Sequence, residues 1–140
     1  MSFETLGLGP KLLQSIEESG YTEPTPIQKE AIPQILEGHD LTGIAQTGTG
    51  KTAAFTLPML QTLERLNREG GRRRQTRALV ISPTRELVVQ IHDNVKAYAK
   101  HLPLKVATVY GGGGEGPRRF SKVSKGFRRV SKVFKGFRRF

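Results

Sequence analysis

The sequence lacks cysteine and tryptophan, and its apolar runs are short, such as the one from Ala78 to Ile81. Without cysteine the chain has no disulfide partner, no thiolate nucleophile and no thiolate-ligated zinc or iron–sulfur site. No stretch approaches the roughly 18 apolar residues of a membrane span. The N-terminus also lacks the basic start and apolar run of an export signal. These absences predict a soluble chain with a cytoplasmic location.

Acidic residues are absent from one end of the chain, where the positive charge is concentrated. The 140 residues carry 23 Lys and Arg against 12 Asp and Glu, a net charge of +11. Residues 1–117 hold 13 of the basic residues and all 12 acidic ones (13 − 12 = +1), whereas residues 118–140 hold 10 basic residues and no acidic one. High positive charge is typical of nucleic-acid or membrane-surface binding. Here it belongs to a tail on a near-neutral body, which is long enough for one domain.

Apolar periodicity and capping residues predict four helices in the body. They begin at Pro10, Pro26, Lys51 and Arg85. Gly20 is expected to end the first helix, Asn67 lies near the end of the third and Lys100 near the end of the fourth. The spacing of Thr25, Pro26 and Gln28 predicts a capping box at the second helix, which we expect to be interrupted near Pro33.

Three short segments between these helices have the composition of strands: residues 40–45, residues 78–81, which we expect to be buried, and residues 104–110. Residues 69–75, rich in Gly and Arg, predict a surface loop. Strands that alternate with helices of ten or more residues favour a parallel sheet with crossover helices. The predicted fold class is therefore α/β.

Residues 45–52, AQTGTGKT, form a glycine-bearing turn between a predicted strand and a predicted helix. The sequence differs from G-x-x-x-x-G-K-[ST] only in having Ala45 at the first glycine position. Small residues allow backbone N–H groups to close around phosphates, Lys51 supplies a cation, and Thr52 offers a hydroxyl to magnesium. This pattern predicts a phosphate-binding loop. The alternative is a strand-to-helix turn that binds nothing.

Several motifs occur together with this loop: FETLGL at 3–8, GYTEPTPIQ at 20–28, AQTGTGKTAAFTLP at 45–58, PTREL at 83–87 and VYGG at 109–112. In this order and spacing the sequence resembles the DEAD-box ATP-dependent RNA helicases, in particular their RhlE-like bacterial branch. The resemblance covers residues 1–112. It implies the N-terminal part of a RecA-like, P-loop ATP-binding domain, a partial parallel sheet with flanking helices.

The resemblance implies ATP as the ligand, with Mg bound through the nucleotide by Thr52. Gln28 would read the adenine edge, Tyr21 would stack on its face, and Phe3 would support the pocket; a side-chain amide matches the donor and acceptor pattern of adenine. Without the family, Gln28 is a helix cap and Tyr21 a core residue. The implied nucleotide-binding residues are Phe3, Tyr21, Gln28, Ala45, Gln46, Thr47, Gly48, Thr49, Gly50, Lys51 and Thr52.

Two further motifs resemble segments that touch the RNA backbone in the family. They place the implied RNA contacts at Pro83, Thr84, Arg85, Gly111 and Gly112. Contacts to phosphates position a strand without reading its sequence, so the RNA binding expected of this chain is weak and nonspecific. Without the family, Thr84 is a helix cap, Arg85 a solvated helix start and Gly111 a turn.

The 140 residues contain no D-E-A-D motif, no S-A-T motif and no second domain, which in the family supply the metal-binding and water-activating acids and the transition-state arginines. Phosphoryl transfer needs these groups together, so no catalytic set is complete. We expect an N-terminal helicase fragment that binds ATP or ADP but neither hydrolyses it nor unwinds RNA. An uncovered sheet edge and apolar face would leave residues 1–117 marginally stable.

The family pattern stops at Gly113, where a glycine-rich junction, residues 113–117, leads into residues 118–140. This tail repeats with a period of ten and predicts a basic amphipathic helix, weakened by Gly126 and Gly136, or a disordered segment. It could lie on anionic membranes, bind RNA nonspecifically, or be a frame-shifted or fused end without a selected function. The abrupt loss of pattern favours the last. The alternative function for the whole chain is a membrane-surface or RNA-binding cationic tail on a nonfunctional body.

Overall fold

Four α-helices and one 3₁₀ turn form the regular structure of residues 2–70 and 76–110, the parts of the chain that the computed structural model describes. The 3₁₀ turn is Phe3–Leu6, and the helices are α1 (Pro10–Glu18), α2 (Pro26–Leu36), α3 (Lys51–Arg68) and α4 (Arg85–Tyr98). All four predicted helix starts are confirmed. The 3₁₀ turn was not predicted, because four residues show no periodicity. Gly111, Gly112, the junction 113–117 and the tail 118–140 lie outside the described residues, and so does most of the predicted loop 69–75.

Local sequence signals explain how these helices end and begin. Gly20 has a left-handed φ of +79°; its N–H donates to the Glu17 carbonyl at 2.9 Å, and the Tyr21 N–H donates to the Ile16 carbonyl at 3.2 Å. This pair of bonds is a Schellman motif, which satisfies carbonyls at the end of α1. At the start of α4 the Thr84 hydroxyl accepts a hydrogen bond from the Leu87 N–H at 3.2 Å. Both predicted caps are confirmed.

The predicted interruption near Pro33 is wrong, because α2 continues through Pro33 to Leu36. An internal proline leaves the carbonyl four residues earlier without its helical partner and costs about 3 kcal/mol relative to alanine. Ala31 and Ile32 are buried at this point, Ile32 completely. The burial of this face, with α2 packed along α3, offsets the local penalty.

The hydrophobic core draws on all four helices and the 3₁₀ turn, with α2 packed on α3, and α4 in contact with both α1 and α3. Its buried members are Phe3, Leu6, Leu8, Leu12, Ile16, Ile32, Ala53, Leu57, Leu60, Val95, Tyr98, Ala99 and Leu102. The predicted apolar stripe of α4 is buried at Val95 and Tyr98 but only half-buried at Leu87 and Val88. Within residues 2–70 and 76–110, no helix is long and apolar enough to cross a membrane.

The three predicted strands are not confirmed: within residues 2–70 and 76–110 no segment is a β-strand. Of residues 78–81, expected to be buried, Ala78 is half-buried and the other three are exposed, with Ile81 at 67% and Leu79 at 41%. A strand requires a neighbour for its backbone hydrogen bonds and a layer over its apolar side chains, and the described residues supply neither here. Residues 104–108 do alternate between half-buried and exposed positions, with Leu104 and Val106 packed against the core.

Candidate functional site

The predicted phosphate loop leads directly into α3. Gly48 and Gly50 have left-handed φ values of +80° and +82°, which side-chain-bearing residues adopt only at a cost. Gly50 is the N-cap of α3 and contributes no side-chain hydrogen bond to the helix N-terminus. As in any helix, the first N–H groups of α3 have no intrahelical partner, and here no capping side chain bonds to them. They form the kind of helix N-terminus that binds anions.

The side chains of the loop bond to carbonyls of the loop itself. The Lys51 ammonium donates to the Ala45 carbonyl, and the Thr49 hydroxyl donates to the Gln46 carbonyl at 2.6 Å. Lys51 and Thr47 are exposed to solvent, whereas Ala45 and Thr52 are half-buried. The Lys51 cation is therefore held at the loop by a neutral acceptor, which an anionic ligand can replace with a stronger, charge-assisted hydrogen bond.

Gln28 connects this loop to α2 from a fully buried position, with 0% of its surface exposed. Its Nε2 donates to the Gly50 carbonyl at 3.1 Å, and its Oε1 accepts from the Thr25 N–H at 3.0 Å. The Gly50 carbonyl also accepts the first helical bond of α3, from the Ala54 N–H at 3.1 Å. Both halves of one amide therefore join the start of α2 to the start of α3.

The capping box is complete on one side only. The Thr25 hydroxyl faces the backbone of Gln28 in the arrangement of a capping box, but it is buried and makes no hydrogen bond within standard distance and angle limits. The bond from the Thr25 N–H to the Gln28 Oε1 is the half that is formed. The contact with Gly50, 22 residues away, was not predicted, because no local pattern links the two positions. The adenine contact of Gln28 stays a prediction.

The two aromatic residues assigned to the pocket have different surroundings. Phe3 is buried in the core, in the 3₁₀ turn that contacts α2, the helix that carries Gln28. The Tyr21 side chain is 42% exposed, so it is not simply a core residue. The Tyr98 hydroxyl donates to the Tyr21 hydroxyl at 3.4 Å, and burial together with this contact raises the pKa of Tyr98 well above its usual range.

The nucleotide and its magnesium fit the chain to different degrees. The left-handed glycines and the helix N-terminus suit a phosphate, and a Cβ at Gly48 would meet nothing within 4 Å, so that side of the loop is open. The residues that the structure describes contain no group of three or more acidic or histidine side chains able to hold a metal ion. The binding of magnesium through the nucleotide, with Thr52 as its protein contact, stays a prediction.

The predicted RNA contacts are exposed at the start of α4. Pro83, Thr84 and Arg85 are all on the surface, and the Thr84 hydroxyl is engaged in capping. Gly111 and Gly112 lie outside the described residues, so their place beside this segment stays a prediction. Arg85 and Tyr98 are the first and last residues of α4. With a rise of 1.5 Å per residue, the helix places the predicted RNA contact about 20 Å from Tyr98.

A surface groove of about 410 Å³ lies away from the phosphate loop. It is lined by Thr5, Leu6, Gly7, Pro33, Leu36, Glu37, Gln61, Thr62 and Arg65. None of these residues carries a predicted site function. The candidate site is thus the loop and its contact with Gln28, and this groove is not part of it.

A family model described as DEAD/DEAH box helicase matches residues 25–134. The chain belongs to the DEAD/DEAH box helicase family. It is 48% identical over 111 residues to the DEAD-box ATP-dependent RNA helicase RhpA of Helicobacter pylori (strain B128), covering 79% of this chain and 21% of RhpA. It is 46% identical over 112 residues to the ATP-dependent RNA helicase CshA of Limosilactobacillus reuteri, covering 80% of this chain and 21% of CshA. The chain thus spans about a fifth of the length of these curated relatives.

Solved structures of helicases have a similar fold. The RNA helicase Prp28 from Chaetomium thermophilum bound to ADP matches with a TM-score of 0.72 and 38% identity, over 88% of this chain and 28% of Prp28. A DEAD box protein from the hyperthermophile Methanococcus jannaschii matches with a TM-score of 0.74 and 30% identity, over 89% of this chain and 31% of that protein. These neighbours are RecA-like helicase domains, so the predicted fold family is confirmed, while the sheet stays a prediction.

Proposed function

We propose that this chain binds ATP or ADP, with magnesium held through the nucleotide, at the phosphate loop and the adjoining Gln28. The observation that carries the proposal is the hydrogen bond from the Gln28 amide to the Gly50 carbonyl. It places the residue implied to read adenine directly beside the loop implied to hold the phosphates. One ligand with a base and a phosphate chain can therefore engage both.

Phosphate binding is assigned to the backbone of residues 45–52 and to Lys51. The loop glycines allow close approach, and the N-terminus of α3 supplies positive potential. On binding, the Lys51 ammonium would exchange its neutral contact with the Ala45 carbonyl for a phosphate oxygen. Magnesium, when bound, neutralises phosphate charge, and the Thr52 hydroxyl is the protein group assigned to face it.

Base recognition is assigned to Gln28, Tyr21 and Phe3. An amide has two N–H donors and two acceptor lone pairs. Gln28 uses one donor for Gly50 and one lone pair for Thr25, which leaves one of each for adenine. Because the side chain is fully buried, its remaining polar atoms become available only when the neighbouring surface opens. Since the remaining donor and acceptor of the Gln28 amide match the edge of adenine, ADP should bind more tightly than GDP.

Hydrolysis and unwinding do not form part of this proposal. The 140 residues contain no D-E-A-D motif, and no acidic cluster able to hold a metal ion occurs in residues 2–70 and 76–110. RNA would bind weakly, through Pro83, Thr84 and Arg85 at the exposed start of α4. This assignment, like the RhlE-like branch, stays a prediction.

The test is a calorimetric titration of the full chain with Mg–ADP. Lys51→Ala removes one charge-assisted hydrogen bond, worth about 1.5–3 kcal/mol, so the Kd should rise roughly 10- to 150-fold. The matched control is Lys96→Ala, which removes an exposed lysine of α4 and should leave the Kd unchanged. Unchanged ADP affinity in Lys51→Ala would refute the proposed site.

A further inference from the structure

The last residue of α4 contacts the residue that follows the α1 cap. The rings of Tyr21 and Tyr98 lie 6.3 Å apart between centroids at an angle of 58°, and their hydroxyl groups are 3.4 Å apart. Tyr98 is almost fully buried, with 2% exposure, whereas Tyr21 is 42% exposed. We propose that Tyr98 is a positioning residue that holds the Tyr21 ring for stacking on the base of a bound nucleotide. The inference rests on the proposed function.

The backbone of Tyr21 is held independently of its side chain. The left-handed Gly20 turns the chain at the end of α1, and the Tyr21 N–H donates to the Ile16 carbonyl. Since this motif is part of the helix end, the Cα of Tyr21 moves with α1. What remains free is the rotation of the side chain, and the Tyr98 hydroxyl restricts it.

The segment that follows α4 is bound to the end of α1, close to Tyr21. The Glu18 carboxylate accepts hydrogen bonds from the Lys100 ammonium at 2.8 Å and from the His101 ring at 3.0 Å. Glu18 is the last residue of α1, and Lys100 follows Tyr98 by two positions. These contacts join the end of α1 to the residues that follow α4, close in the chain to both tyrosines.

In this arrangement Tyr98 contacts one side of the Tyr21 ring, and part of the Tyr21 side chain stays exposed to solvent. A tilted ring pair at this distance is a favourable geometry, and it uses only part of the Tyr21 ring. A ring that is already held loses less side-chain entropy when a planar ligand stacks on it. A planar nucleobase fits this ring, because stacking needs a flat π-face, and under the proposed function that base is adenine, with its phosphates at residues 45–52.

The experiment compares Tyr98→Phe with the wild-type chain in calorimetric titrations with Mg–ADP and with inorganic tripolyphosphate plus magnesium. The substitution keeps the buried ring and removes only the hydroxyl. From the usual cost of ordering one side chain, the Kd for ADP should rise about 2- to 10-fold. The Kd for tripolyphosphate should stay the same. Tyr110→Phe is the matched control, since Tyr110 is 45% exposed and belongs to no proposed site.

A second variant keeps the inference testable if Tyr98→Phe fails to fold. Tyr21→Phe removes the same hydroxyl contact from the exposed side and should weaken ADP binding to the same extent, and the double variant should be no weaker than either single variant. ADP affinity equal to wild type in both single variants would overturn the inference while leaving the nucleotide site intact. An equal loss for ADP and tripolyphosphate would also overturn it, because the hydroxyl would then act on the whole fold. If the wild-type chain bound no ADP, both proposals would fail.

Discussion

The contact between Gln28 and Gly50 predicts an unusually large effect for a single added methyl group. A Cβ built at Gly50 would lie 2.3 Å from the Gln28 Nε2 and 3.2 Å from the Thr25 hydroxyl. Gly50→Ala therefore displaces the Gln28 amide and breaks its bonds to Gly50 and Thr25, at a cost of about 2 kcal/mol for two hydrogen bonds. The left-handed φ of +82° adds about 1–2 kcal/mol for a residue with a Cβ. The expected loss of unfolding free energy is about 3–4 kcal/mol.

Gly48→Ala is the matched control for this substitution. Gly48 has nearly the same φ, +80°, but an added Cβ there meets nothing within 4 Å. The backbone cost, about 1–2 kcal/mol, and the effect of alanine on the unfolded chain are therefore shared by both variants. The difference between them, about 2 kcal/mol, measures the displacement of Gln28.

The assay is urea-induced unfolding followed by the helical circular dichroism signal. In a Gln28→Ala background, the further step Gly50→Ala should cost only the backbone term, about 1–2 kcal/mol, because the obstructing amide has been removed. Equal destabilisation by Gly48→Ala and Gly50→Ala would refute the reasoning. The same conclusion would follow if Gly50→Ala cost as much without Gln28 as with it.

Two ion pairs outside the phosphate loop give further predictions. The Lys100 and His101 hydrogen bonds lower the pKa of Glu18 to about 2 from its ordinary value of 4.5. Because the folded-state pKa is depressed, this stabilisation is present above pH 4.5 and is lost as the pH falls towards 2. Glu18→Gln should therefore be less stable than wild type at pH 6 and lose this deficit in acid, as followed by thermal unfolding; a deficit that persists at pH 2 would contradict the pairing. The Arg68 guanidinium lies 2.8 Å from the carboxylate of the buried Glu64 but is 64% exposed, so Arg68→Ala should cost about 1 kcal/mol in urea unfolding. A stability equal to wild type would contradict this pairing.

The ends of the helices were predictable because they depend on neighbouring residues. Gly20 ends α1, Thr84 caps α4, and the spacing of Thr25 and Gln28 marks the start of α2, each through contacts within a few positions. Pro33 shows where local reasoning fails. Its intrinsic penalty predicted a break, but the burial of the adjacent Ile32 stabilises the uninterrupted helix.

The presence of strands could not be predicted from the local sequence either. The apolar character of residues 78–81 indicated burial, yet burial of a strand depends on neighbours that the segment does not itself contain. Within residues 2–70 and 76–110 those neighbours are not formed, and Ile44 and Ile81 are exposed. Residues 104–108 do alternate between half-buried and exposed positions, because the core covers one face of that segment.

The sequence by itself determined the starts of the four α-helices, the glycine-bearing turn at residues 45–52 and the family, because each depends on residue types at short, constant spacing. Only the tertiary structure placed the Gln28 amide on the Gly50 carbonyl and the Tyr98 hydroxyl on Tyr21, across separations of 22 and 77 residues. Such contacts depend on how α1, α2, α3 and α4 pack, and no spacing in the chain specifies that packing. A chemical motif can thus be read from a few adjacent residues, whereas the partners that hold it in position come from distant parts of the chain.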